Sequence, residues 1–156
     1  MPFPTLQIPE FLTLKREIET YPRMHGEYLI DLVSIAHLRA GGLNENDILD
    51  EVYCHWSGVA SVEDLLYRGE GDGYEVSTQH LLETLVDGLK GGAAVGHTID
   101  SMPEQEALRF SQRFLDLFEQ PRGYMGMGIT DRCIFEHGLL LMDQNHAGLL
   151  LVLEDD

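Results

Sequence analysis

Apolar residues recur first at helical spacing along this chain, and gather into short unbroken runs only near its carboxyl terminus. Behind a lead marked by Pro2, Pro4 and Pro9, residues 10–20 predict a helix that stops before Pro22. Residues 25–40 predict a second, because Leu29, Leu32, Val33 and Ala36 keep helical spacing and Gly41-Gly42 supplies a stop. The third is the best signposted. Asn44 is a good N-cap, Glu45 and Asp47 suit the positive end of the helix dipole, and Ile48, Leu49, Val52, Tyr53 and Trp56 share one face. Trp56 is therefore expected to be largely buried, with Asp47, Asp50 and Glu51 on the opposite face.

Ser61 with Asp64 predicts a capping box for a short fourth helix ending at Gly69, and Gly69 to Gly73 reads as a loop. Ser77 or Thr78 caps the fifth, whose inward residues are Leu81, Leu82, Leu85, Val86 and Leu89 and whose stop is Gly91-Gly92. The sixth starts at Ser101-Met102-Pro103-Glu104 and carries a broad apolar stripe that includes Ala107, Leu108, Phe110, Phe114 and Phe118. After Pro121 the texture changes. Leu139 to Met142 and Leu149 to Leu153 are too short for helices and predict a β-hairpin whose loop runs from Asp143 to Gly148. Tyr124 to Ile129 is a candidate third strand, and Cys133 to Phe135 a candidate extension of the first. The expected fold is α+β: a single domain over 1–156 with five or six helices and a small C-terminal antiparallel hairpin or three-stranded sheet. The sixth helix is its expected cover, since a lone hairpin is marginal in water.

Charge changes the picture more than composition does. The chain has 27 acidic residues against 10 basic, a formal net charge of −17. Residues 44–106 hold 14 of those acids, with only Arg68 and Lys90 as bases, so pairing along the helices cannot neutralise them. A one-signed field repels nucleic acid and anionic lipid, and it steers a basic protein into place. No apolar run reaches the roughly 20 residues of a membrane span, and Met1 to Pro4 lacks the basic head of a secretory signal. Cys54 and Cys133 show no C-x-x-C spacing and read as reduced thiols, so the expected compartment is the cytoplasm.

Local catalytic chemistry is sparse. None of the seven histidines belongs to an H-E-x-x-H or H-x-H pattern, so no metal or other cofactor is expected. Cys54 and His55 are neighbours on a helix and point about 100° apart, too divergent for a nucleophile and its base. Gly88 to Gly96 lacks the Lys-Ser/Thr pair of a phosphate loop. The best local grouping is Asp143 and His146 in the hairpin loop, with Glu136 and His137 on the facing strand if the register allows it. That grouping supports an alternative reading as an enzyme with a His/carboxylate site near the hairpin. A second alternative is an acidic structural or adaptor subunit.

The small size, the acidity, the apolar runs around Asp143-Gln144-Asn145-His146-Ala147-Gly148 and the Glu154-Asp155-Asp156 tail resemble small acidic bacterial immunity proteins, which neutralise a cognate toxin. The resemblance is one of size, charge and roughly the last two dozen residues. It implies a non-catalytic inhibitor that covers the basic active site of a toxin, and it assigns no functional residue. From charge and helical phase, the expected partner-binding residues are Asp47, Asp50, Glu51, Glu63, Asp64, Glu70 and Asp72.

Overall fold

The computed structural model describes residues 3–22, 27–61, 63, 75–90, 102–125 and 135–154, with backbone only at 135–137 and 154. In chain order the elements are α1 (Pro9–Glu19), β1 (Glu27–Ser34), α2 (Ala36–Ala40), α3 (Glu45–Ser57), β2 (Glu75–Val76), a 3-10 turn at Thr78–His80, α4 (Leu81–Leu89), α5 (Glu104–Leu115), β3 (Arg122–Tyr124), β4 (Phe135–Met142) and β5 (His146–Glu154). The strands form one antiparallel sheet in the order β1-β5-β4-β3-β2.

This corrects the expected small C-terminal hairpin or three-stranded sheet. The fold is α+β, but among the described residues five helices accompany five strands drawn from the whole length of the chain. The hairpin is real and lies inside the sheet instead of forming it. Its connection is shorter than the residues 143–148 expected, only Asp143 to Asn145 separating the two strands.

Burial on both faces explains why β4 and β5 read as continuous apolar runs. Leu139, Leu141, Leu150 and Val152 meet Phe11, Leu14 and Ile18 of α1, Leu85 of α4, and Phe110 and Phe114 of α5. On the other face, Leu140, Met142, Leu149 and Leu151 meet Ile48, Val52 and Tyr53 of α3, together with Phe3. The sheet is thus a middle layer between helices. The apolar stripe of the last helix is narrower than expected, for Leu108 is 46% exposed while Ala107, Phe110 and Phe114 are buried.

The predicted helix over 25–40 is the second correction: Glu27–Ser34 is β1, and only Ala36–Ala40 is helical. Leu29, Leu32 and Val33 fit a helical stripe, yet Tyr28, Ile30 and Leu32 alternate onto one face of the sheet and Leu29 and Val33 onto the other. A strand apolar on both sides carries no clean period of two, so the tertiary environment decides. The third helix stands as read. Asn44 Oδ1 accepts from the Asp47 N–H at 2.9 Å, and Gly58 closes the helix in the left-handed region at φ 75°. Capping elsewhere departs from expectation. The 3-10 turn precedes α4, and no side-chain hydrogen bond caps it. Pro103 is the N-cap of α5, likewise without a side-chain bond, so the helix begins too late for a box at Ser101. Of the remaining expectations, nearly all of the fourth helix, the 69–73 loop, Ser101 itself, Gly91-Gly92, and the strand candidates at 126–129 and 133–134 lie outside the described residues.

Strand β1 is an edge of the sheet, and its outer rim is occupied. The N-terminal segment lies along it, the Leu6 N–H donating to Leu32 O at 2.8 Å. Lys15 Nζ donates to Ile30 O at 2.9 Å, and the Leu32 N–H donates to Asp31 Oδ1 at 2.8 Å.

Candidate functional site

Helix α3 presents the predicted carboxylates from a fixed base. Ile48, Val52 and Tyr53 are buried against the sheet, and the helical period then turns Asp47 and Glu51 to solvent. Asp50 is half-buried beside them. Glu63 is exposed, and hydrogen bonds from its own backbone N–H and then from the Ser61 hydroxyl hold its carboxyl below the usual range. Asp64, Glu70 and Asp72 lie outside the described residues.

Among the described residues, six of the seven Lys and Arg side chains are paired with carboxylates: Lys15 with Glu19, Arg39 with Glu45, Lys90 with Glu104, Arg109 with Glu106 and Glu17, Arg113 with Glu17, and Arg122 with Glu75. Such surface pairs contribute little to stability. Their consequence is electrostatic, because α3 itself carries no Lys or Arg and its outer acids face solvent without a cation on the same helix.

Two further carboxylates are structural in their bonding. Asp31 stands in the middle of β1 on the α3 side, half-buried. Its Oδ2 accepts from Trp56 Nε1 at 2.9 Å, and its Oδ1 from the Thr5 hydroxyl at 2.8 Å as well as from the Leu32 N–H. Trp56 is consequently half-buried at the margin of the core, with its indole N–H satisfied. It packs against the core as expected, with its polar edge held by Asp31. Nothing in the local pattern marked Asp31 except an acid inside an apolar strand. Its partners at positions 5 and 56 are brought to it only by the fold.

Asp143 holds the β4–β5 connection. Its Oδ1 accepts from the N–H groups of Asn145 and His146 at 2.9 and 2.7 Å, and its Oδ2 from the Glu119 N–H at 2.9 Å. Arg39 clamps the same turn from α2, donating to Asp143 O at 2.7 Å and Gln144 O at 3.0 Å. A groove of about 540 Å³ opens beside it between Glu119, Gln120, Asp143, Gln144 and Asn145. The sheet register does not bring the other half of the suggested grouping here. Glu136 and His137 pair with Leu153 and Val152, whereas Met142 pairs with Ala147. Six residues of strand place His137 about 20 Å from Asp143. Among the described residues, no three His, Cys, Asp or Glu side chains stand close enough to hold a metal ion.

An Asp143 carboxylate holding three backbone donors makes a clear prediction. Asp143→Ala removes the acceptor of three part-buried donors at once and should cost about 1–3 kcal/mol in denaturant unfolding, with Asp143→Asn in between. A change below about 0.5 kcal/mol would show that the turn holds without the carboxylate. No protein-family model, no curated protein and no solved structure matches this chain.

Proposed function

We propose that this protein is a non-catalytic binding protein that presents an acidic face to a basic partner protein, acting in the cytoplasm as an immunity- or antitoxin-like inhibitor. The observation that carries the reading is the outer stripe of α3, where Asp47 and Glu51 face solvent with no Lys or Arg on the same helix. Asp50 lies beside it on the helix, and Glu63, Asp64, Glu70 and Asp72 continue the acidic run in sequence. A rigid helix bearing one sign of charge focuses its field and accelerates the approach of an oppositely charged surface. Among the described residues, no helix is long and apolar enough to cross a membrane.

Affinity capture from the native organism should identify the partner, and association kinetics should then be measured for the wild type and for Asp47→Lys/Glu51→Lys. These two positions are the ones to reverse because both are exposed, whereas Asp50 is half-buried and a lysine there would disturb packing. The double reversal should slow association by about tenfold or more, with a dissociation rate far less affected. Added salt should reproduce part of the loss, since screening limits the field to about 8 Å at physiological ionic strength. An association rate indifferent to both salt and charge reversal would leave α3 an ordinary solvated surface.

A further inference from the structure

We propose that residues 3–6 are an acid-released clasp, seated along the β1 edge by Phe3 against His37 and His55, and that protonation of the His55 imidazole frees the segment while the rest of the fold stays intact. Phe3 is only 3% exposed. Its ring centroid is 5.1 Å from that of His55 on α3 and 5.8 Å from that of His37 on α2, both at a tilt. Beyond Phe3, the Thr5 hydroxyl bonds Asp31 and the Leu6 N–H bonds Leu32 O, while Leu6 and Ile8 pack against the core where the chain enters α1. Seating an apolar ring against an imidazole requires that imidazole to give up water, which favours its neutral form.

The charged and titratable groups around His55 pull in different directions. Asp31 of β1 favours the imidazolium, but its two oxygens are already occupied by neutral donors from Trp56, Thr5 and Leu32. His37 of α2 also meets Phe3 and is exposed to solvent. Cys54 precedes His55 on the same helix. Burial prevails, holding His55 below its ordinary value of 6.5 in spite of the attraction of Asp31. The clasped form therefore binds fewer protons than a released form in which His55 is solvated. Its advantage is complete above the ordinary value and is lost as pH falls through the lowered one.

Hydrogen exchange of the Leu6 amide in the full chain tests this, corrected for the intrinsic pH dependence of exchange and read beside β5 amides such as that of Leu150. Between pH 7.5 and 5 the protection of Leu6 should fall several-fold while that of Leu150 holds, and His55→Gln should make the Leu6 profile flat. His55→Asn serves the same purpose should the glutamine variant fail to protect its β5 amides. The fluorescence of Trp56, the chain's only Trp, should change over the same pH interval, since its ring lies 6.0 Å from His55. Leu6 protection that does not depend on pH, or that falls equally in both His55 variants, would overturn the proposal. So would a pH dependence abolished by His37→Asn and kept by the His55 variants.

Discussion

Removing residues 138–156 will leave a chain with no cooperative thermal transition. In the sheet β5 lies between β1 and β4, paired with each from one end to the other, so the deletion takes out the middle of the sheet. Strand β1 would keep only its N-terminal strap, and β3 and β2, of three and two residues, would lose the strand they lean on. Both helical layers would lose their common floor, because Leu139, Leu141, Leu150 and Val152 support one and Leu140, Leu149 and Leu151 the other. Two-state domains do not survive the loss of such a share of their buried surface. Scanning calorimetry of the truncated protein should show a flat trace or an aggregated product. A sharp transition near that of the full chain would mean that helices alone carry the stability.

The second large effect belongs to a single hydrogen atom. Gly138 lies inside β4 at φ 142°, where a side chain is strained, and a Cβ there would strike the Leu150 carbonyl oxygen and stand 2.9 Å from Leu151 Cα. Both obstacles are backbone of the central strand, so neither can swing aside. Gly138→Ala should lower stability by about 4 kcal/mol, adding backbone strain to overpacking. Gly42→Ala is the control. Gly42 also has a positive φ, 89°, but nothing lies within 4 Å of its would-be Cβ, so only strain of about 1 kcal/mol is expected. Equal denaturant midpoints for the two variants would show that the β4–β5 ladder shifts to accept the methyl group.

Sequence pattern reached α1, α3 and the hairpin because each obeys one rule at a time. Asn44 capped where its side chain could, and Asp47 and Glu51 followed the helical period to the surface. The pattern failed where two environments overlap. Residues 28–33 pack on both faces of the sheet, which erases the alternation that would have marked β1. Strands as short as Arg122–Tyr124 and Glu75–Val76 have no period to detect; the first forms on the edge of β4 and the second on the edge of β3. The acidic face was legible since charge and helical phase are both local. Asp31 was not: its role depends on Thr5 and Trp56, far apart in sequence and adjacent only once the sheet and α3 are in place. The loop after Met142 was legible as a hairpin connection, whereas the role of the Asp143 carboxylate in holding the turn depends on backbone donors that only the folded turn presents.

The occupied rim of β1 bears on how molecules of this protein behave when concentrated. A strand with open amides and carbonyls invites the same strand of a neighbour to continue the ladder, the first step toward fibres. Along β1, Lys15 covers Ile30 O, the Asp31 side chain covers the Leu32 N–H, and Leu6 covers Leu32 O. An incoming strand would have to displace an ammonium group and force its own acceptors against a carboxylate. Lys15 and Asp31 thereby cap this edge of the sheet, and keep its apolar interior from propagating beyond one molecule.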